Sequence, residues 1–176
     1  MSEFHRLIEG EIPRLRRYAR ALTRNADRAD DLVQETLMRA IAKRHLWQDG
    51  TDLRAWLFTI MHNQHVNMVR RAMRDSSNVD IEQMSYALVA TTDPTASRQL
   101  RELENALSRL RDEHREVILL VGLEGLSYEA AAQILDVPVG TVRSRLSRGR
   151  DELRVLLDMP KRGQDASESD RLAEAA

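Results

Sequence analysis

The sequence predicts an all-α protein made of two small helical domains that a flexible linker joins. The 176-residue chain contains only 7 Gly, 4 Pro and 4% aromatic residues, while Ala, Leu, Arg and Glu are abundant. This composition favours helices over strands. Apolar residues recur at helical spacing in several long segments. Over residues 73–97 that spacing gives way to short polar side chains, which is typical of a linker.

The first two helices are predicted in the N-terminal domain. The first spans residues 12–24, because Pro13 is tolerated in a first turn and Gly10 marks a break before it. Asn25 or Asp27 can cap the second helix. Its apolar residues form an unbroken stripe at helical spacing: Leu32, Val33, Thr36, Leu37, Ala40 and Ile41.

The third helix completes the N-terminal domain, for which we expect the bounds 1–72. It begins near Leu53 and buries three apolar side chains, Trp56, Leu57 and Ile60. The linker, 73–97, contains at most a weak turn of helix at 81–88. At full extension its roughly twenty irregular residues reach about 70 Å.

The C-terminal domain is predicted over 98–158, with a polar tail at 159–176. Its helices begin near Ala96 and continue to about Arg109, and a second helix over 113–122 points three residues inward, Val117, Ile118 and Val121. Each domain alone is small, so each core is marginal.

The strongest motif is a helix-turn-helix near the C-terminus. Ser127 is a natural N-cap for a short helix over 128–135, and Asp136 tolerates a left-handed turn. A second helix over 139–157 follows Pro138. It points three residues inward, Val142, Leu146 and Leu153, and we expect Gly149 on it to mark a close approach of another element.

The outer face of this second helix carries Arg and hydroxyl side chains, which suit the major groove of DNA. Arg reads guanine through two hydrogen bonds, and Ser or Thr binds phosphates. The alternative is a helical hairpin with a solvated basic face. The outward residues are Thr141, Arg143, Ser144, Arg145, Ser147, Arg148 and Arg150.

Two further clusters have functional and structural interpretations. The run from His62 to Asn67 is rich in uncharged hydrogen-bonding side chains and precedes Arg70 and Arg71, a pattern that suits base edges and phosphates but also fits a polar helix end. One surface of the second helix carries Asp31, Gln34 and Glu35. This surface fits either an acidic docking face for a basic partner or a solvated face.

Composition excludes several classes of function. The absence of Cys rules out disulfides, thiolate zinc sites and a cysteine nucleophile. His62 and His65 lack a third ligand, so we expect no metal and no cofactor. No apolar run approaches the roughly 20 residues that span a bilayer, and no phosphate-binding loop is present. We therefore expect a cytoplasmic protein that is not an enzyme and does not insert into membranes.

Taken together, these motifs resemble bacterial sigma factors of the extracytoplasmic-function group, within the sigma-70 superfamily. The resemblance rests on four motifs in the right order and covers about residues 10–72 and 98–157. The motifs are Asp30-Asp31-Leu32-Val33-Gln34-Glu35-Thr36, Leu53-Arg54-Ala55-Trp56-Leu57-Phe58-Thr59-Ile60 with His62-Asn63, Ser127-Tyr128-Glu129-Ala130-Ala131, and Val137-Pro138-Val139-Gly140-Thr141-Val142-Arg143-Ser144-Arg145-Leu146.

The resemblance implies a sigma-two domain, a sigma-four domain and three partners: core RNA polymerase, promoter DNA and an anti-sigma factor. The polymerase-binding residues would be Asp31, Leu32, Gln34 and Glu35. Asn63 and Asn67 would engage the melted minus-ten element, and Arg70 and Arg71 its backbone. The minus-thirty-five element would be read by Thr141, Arg143, Ser144, Arg145, Ser147 and Arg148.

This chain departs from the family pattern at two positions, where His62 replaces a frequent Arg and Asn67 a frequent acid. Both changes would alter the base preference at the minus-ten element. Two other functions remain open: a sigma-like decoy that sequesters an anti-sigma factor, and a stand-alone helix-turn-helix regulator. A net charge of −1 predicts that the free protein binds duplex DNA poorly.

Overall fold

The computed structural model describes residues 3–75 and 94–159, and in these two ranges every regular element is a helix. An isolated 3-10 turn spans Arg44–Leu46, and a π-helical turn spans Leu119–Leu123. The seven α-helices of the described residues are α1 (Glu3–Thr23), α2 (Ala26–Ala42), α3 (Leu53–Asp75), α4 (Pro94–Arg109), α5 (Asp112–Ile118), α6 (Tyr128–Leu135) and α7 (Val139–Leu156). The all-α prediction is confirmed.

Helix α1 is longer than predicted and continues through both Gly10 and Pro13. The predicted break at Gly10 is wrong because the first two turns have a core of their own. Phe4 and Ile8 are buried there, and the Phe4 ring lies 5.3 Å from the ring of Trp47. Burial of these apolar side chains outweighs the poor helix propensity of Gly and Pro.

Gly10→Ala tests this continuous helix. A Cβ at Gly10 would meet nothing within 4 Å, so we expect the free energy of unfolding to rise by about 0.5–1 kcal/mol, as for an exposed helix interior. Urea denaturation followed by circular dichroism measures the change. Gly50→Ala is the control. Gly50 has a φ of 87°, which alanine rarely adopts, so we expect this variant to be less stable than the wild type. If α1 were broken at Gly10 in solution, Gly10→Ala would not raise the free energy of unfolding.

Helices α2 and α3 follow the sequence pattern with two differences. Asn25 is the N-cap of α2, where its side chain accepts a hydrogen bond of 2.9 Å from the backbone N–H of Arg28. The predicted apolar stripe ends early, since Ile41 is 49% exposed. In α3, Leu57 is buried as predicted, whereas Trp56 and Ile60 are only partly buried against the core.

The helix-turn-helix forms as predicted. The Ser127 hydroxyl accepts a hydrogen bond of 3.1 Å from the N–H of Ala130, and Asp136 is left-handed with a φ of 52°. Val142 and Leu146 are buried on the inner face of α7. The element before it differs, because α5 ends in the π-helical turn instead of continuing to residue 122.

Gly149 allows α7 to approach α5 closely. A Cβ built on Gly149 would lie 2.9 Å from Cδ1 of Ile118 and 3.1 Å from Cβ of His114. Real Cβ atoms need more room than this, so a larger residue would push the two helices apart. The close approach predicted for Gly149 is therefore confirmed.

The N-terminal and C-terminal halves are packed against each other. Helix α3 contacts α6, and α1 contacts α4, α5 and the π-helical turn. The buried apolar residues of both halves form one continuous cluster. The sequence left the relative arrangement of the two domains open, and the structure places them in contact. The weak turn at 81–88 and residues 160–176 of the tail fall outside the described residues.

The predicted domain bounds at residues 72 and 98 both fall inside helices. Helix α3 continues to Asp75, and α4 begins at Pro94. Within 3–75 and 94–159, no helix combines the length and the apolar character that crossing a membrane requires.

Candidate DNA-binding and docking surfaces

The outer face of α7 presents most of the residues predicted to bind DNA. Four of them are exposed: Arg143, Ser144, Ser147 and Arg148. Thr141 is half-buried in the first turn, and its carbonyl accepts a hydrogen bond of 3.0 Å from the Ser144 hydroxyl. Val142 and Leu146, on the opposite face, fix the rotation of the helix. The inward and outward positions therefore follow the sequence pattern.

Two of these arginines have neighbours that sequence reasoning missed. The guanidinium of Arg143 lies 5.9 Å from the centre of the Tyr128 ring, within the range of a cation–π contact. Arg145 forms an ion pair of 3.2 Å with Glu113 of α5, and its side chain is only 27% exposed. Arg143 is thus oriented by an aromatic ring, whereas Arg145 already has an anionic partner.

A second polar face lies along the C-terminal half of α3. Asn63, Asn67, Arg70 and Arg71 are all exposed. Their spacing of three to four residues places the first three on one side of the helix. The face continues to Arg74, and its last part borders a shallow depression of about 560 Å³.

His62 and His65 lie beside this face and point towards the C-terminal half. His62 Nδ1 is 2.5 Å from a carboxylate oxygen of Glu116 in α5. Within the described part of the chain, no three His, Cys, Asp or Glu side chains are grouped so that they could hold a metal. His62, one of the two departures from the family pattern, therefore contacts the C-terminal half of the chain.

Burial lowers the pKa of His65 below its ordinary value of 6.5, although Glu116 and Asp112 act in the opposite direction. Folded His65 therefore binds a proton less readily than an unperturbed histidine does. Below pH 6.5 the unfolded chain binds a proton at this residue more readily than the folded chain does. Stability conferred by neutral His65 is thus present at high pH and lost on acidification.

We therefore expect the free energy of unfolding to fall between pH 7.5 and 5.5, and His65→Gln to reduce this dependence. Urea denaturation across that pH range measures it. His45→Gln, which changes an exposed histidine, is the control and should keep the wild-type slope. An equal slope in His65→Gln and wild type would refute the assignment.

The exposed face of α2 is acidic at its start and apolar at its end. Asp31, Gln34 and Glu35 are exposed, and Glu35 pairs with Arg39 at 3.6 Å. Met38, one turn further on, is 68% exposed. Sequence reasoning had missed the apolar continuation of this face.

Leu32 is not part of this face. It is 0% exposed and belongs to the core cluster. The prediction that Leu32 contacts polymerase is therefore corrected: its position on the inner side of α2 makes it a packing residue. Because a helix turns by about 100° per residue, adjacent Asp31 and Leu32 face different surroundings.

Comparisons of the sequence with known families identify two regions. Residues 8–62 match the family described as the sigma2 domain of PhyR, and residues 100–153 match the family described as sigma-70, region 4. The chain is 45% identical over 152 residues to the ECF RNA polymerase sigma factor EcfG of Rhodopseudomonas palustris. The aligned region covers 85% of this chain and 82% of that protein.

Two solved structures share the fold. The sigma factor RpoE of Bartonella quintana, in complex with the anti-sigma factor NepR, superposes with a TM-score of 0.78 at 36% identity, covering 92% of this chain and all of that one. CnrH in complex with the cytosolic domain of CnrY gives a TM-score of 0.63 at 28% identity, covering 88% of this chain and 87% of that one.

Proposed function

Because this chain belongs to the extracytoplasmic-function group of RNA polymerase sigma factors, we propose which surfaces it uses to start transcription. The α2 face binds core RNA polymerase, the polar α3 face holds the melted minus-ten element, and the outer α7 face reads the minus-thirty-five element. As an alternative sigma factor the protein directs promoter-specific initiation, and an anti-sigma factor regulates it. It does this in the cytoplasm, where the chromosome is transcribed, and without catalysing a reaction itself.

The observation that carries this proposal is that three polar faces are exposed on separate helices. Along the chain, these faces follow one another in the order of the family motifs. Arg143 and Arg148 extend from α7 away from the core, as a recognition helix requires. On α3, amide side chains suited to base edges precede arginines suited to phosphates. Strand opening then comes from trapping unstacked bases, which needs no covalent chemistry.

The mechanism is attachment at two points. Each small domain binds DNA weakly, and holding both on one polymerase raises the effective concentration of the second contact once the first has formed. Polymerase would supply much of the attraction for the DNA backbone, since the free chain is close to electrically neutral.

The alternative of a decoy for an anti-sigma factor gains little support from α7. A decoy has no need of exposed arginines on a recognition helix, and Arg143 and Arg148 are both exposed. A stand-alone helix-turn-helix regulator would likewise not need the acidic face of α2.

Run-off transcription with core polymerase on genomic fragments tests the proposal. We expect wild-type protein to direct initiation from defined sites. A wild-type chain that directs none would favour the decoy function instead.

Asp31→Ala/Gln34→Ala tests the docking face. We expect affinity for core polymerase to fall by about tenfold, which corresponds to about 1.4 kcal/mol, with unchanged stability, because both side chains are exposed. Core binding is measured by fluorescence anisotropy without DNA. Gln99→Ala/Glu102→Ala is the matched control, since it removes the same two functional groups at the same spacing from the exposed face of α4. Equal loss in both double variants would reject the α2 assignment.

A further inference from the structure

Arg145 of α7 is paired with an acidic residue of the neighbouring helix. Its Nη2 lies 3.2 Å from a carboxylate oxygen of Glu113 in the first turn of α5. The Arg145 side chain is 27% exposed, whereas that of Glu113 is 48% exposed. On the same helix, Arg143 and Arg148 are exposed. The pair therefore distinguishes Arg145 from the two arginines that are proposed to read DNA.

Arg145 lies at the border between two faces of α7. Gly149, four residues further on, is the point where α7 approaches α5 closely. Glu152, three residues beyond Gly149, lies 3.1 Å from Nδ1 of His114 in α5. Residues at this spacing share one side of a helix, which here is the side that faces α5. Arg148, three residues after Arg145, is exposed on the outer face, so the Arg145 side chain can turn towards either face.

The position of α7 does not depend on this pair alone. A Cβ at Gly149 would lie within 3.1 Å of two side chains of α5, so the two helices already touch there. Val142 and Leu146 are buried on the inner face of α7. An ion pair between solvent-accessible side chains contributes little to stability. The main consequence of the pair is therefore the orientation of the Arg145 side chain.

Released from Glu113, the guanidinium of Arg145 would be free to contact DNA phosphates. A phosphate contact carries no sequence information. Each such contact releases counterions from the DNA, so it raises affinity for every sequence and makes that affinity more dependent on salt. Because an arginine keeps its charge, a competing anion is needed to prevent the contact. Glu113 is that anion in this structure.

We propose that Glu113 is a positioning residue for the DNA-binding surface: it withholds Arg145 from the DNA backbone and so limits the affinity of α7 for DNA of any sequence. Glu113 acts through Arg145 and does not itself contact DNA. The inference deepens the proposed function, since it rests on the assignment of the outer α7 face to DNA. Binding by α7 then depends mainly on Arg143 and Arg148, whose contacts with bases carry the sequence information.

Binding of the full chain to non-promoter duplex DNA tests the proposal. Glu113→Gln keeps the size of the side chain and removes its charge. At low salt we expect this variant to bind a fluorescent duplex about fivefold more tightly than the wild type, the effect of one exposed ion pair. The plot of log affinity against log salt should become steeper by about 0.9, the value for one additional phosphate contact.

A double-mutant cycle with Arg145→Gln separates the restraint from the charge of Glu113 itself. If Glu113 acts through Arg145, Glu113→Gln should have at most a small effect on DNA affinity in the Arg145→Gln background. Glu102→Gln is the matched control, since Glu102 is 54% exposed and pairs with Arg98 at 2.9 Å on α4. It removes the same charge and also releases an arginine, and we expect it to leave the affinity and the salt dependence as in the wild type.

Equal gains from Glu113→Gln in the wild-type and Arg145→Gln backgrounds would overturn the restraint, because Glu113 would then act only by repelling DNA. An unchanged salt dependence in Glu113→Gln, or the same gain in Glu102→Gln, would overturn it as well. Run-off transcription by the wild type separates these outcomes from the proposed function. A wild type that directs no initiation would overturn the proposed function, whereas the binding of non-promoter DNA by the free chain does not depend on initiation.

Discussion

Arg143→Ala/Arg148→Ala is expected to lower promoter-specific transcription about 100-fold without destabilising the protein. Both side chains are exposed on α7. An arginine that reads a base through two hydrogen bonds contributes about 1–3 kcal/mol, and about 1.4 kcal/mol is a factor of ten. Run-off transcription at fixed polymerase and salt measures the loss. Salt must be fixed because removing charge also weakens phosphate contacts.

Arg101→Ala/Arg109→Ala is the matched control for this pair. It removes the same charge from exposed positions of α4, where no DNA contact is proposed. We expect transcription within about twofold of wild type. If both double variants lose activity equally, the effect comes from net charge, and α7 is not the recognition helix.

Arg145→Ala should have a smaller effect than either recognition arginine, because Arg145 is already paired with Glu113. Binding DNA through Arg145 would require that ion pair to be given up or shared. The size of the loss in transcription therefore distinguishes an arginine that reads bases from one that holds α7 on α5.

Leu32→Ala is expected to lower the free energy of unfolding by about 2–5 kcal/mol, the range for truncating a fully buried leucine. The total free energy of unfolding of a small domain is only about 5–15 kcal/mol, so this substitution removes a large fraction of it. Guanidinium denaturation followed by circular dichroism measures the change. The physical reason is the cavity left between α2 and the rest of the core, where Leu32 is 0% exposed.

Met38→Ala on the same helix is the control for Leu32→Ala. Met38 is largely exposed, so its truncation should change stability by less than about 0.5 kcal/mol. The folded fraction of Leu32→Ala should still bind core polymerase with wild-type affinity. If Leu32→Ala were as stable as the wild type but no longer bound polymerase, Leu32 would contact polymerase directly, as the sequence predicted.

Local patterns were the most informative part of the sequence. The cap at Ser127 and the left-handed Asp136 follow from the chemistry of single residues in their immediate surroundings. Gly149 indicated a close approach because Gly is otherwise unfavourable inside a helix. The inward positions of α7 follow from helical periodicity. These features need no knowledge of the rest of the chain, and the structure confirms each of them.

Boundaries and exposure were less predictable. The sequence around Gly10 and Pro13 reads as a helix break, yet burial of Phe4 and Ile8 keeps α1 continuous. Ile41 fits the apolar stripe of α2, but its side chain is 49% exposed. In both cases the outcome depends on which other element packs there.

The sequence by itself determined the helical class, the helix-turn-helix and the family motifs, because propensity, capping and periodicity act over a few residues. Only the tertiary structure decided that Leu32 is buried, that Arg145 is paired with Glu113, and that Arg17 and Glu124, 107 residues apart, meet between the halves. Such contacts depend on how distant helices pack, and no local rule relates a residue to a partner that far along the chain.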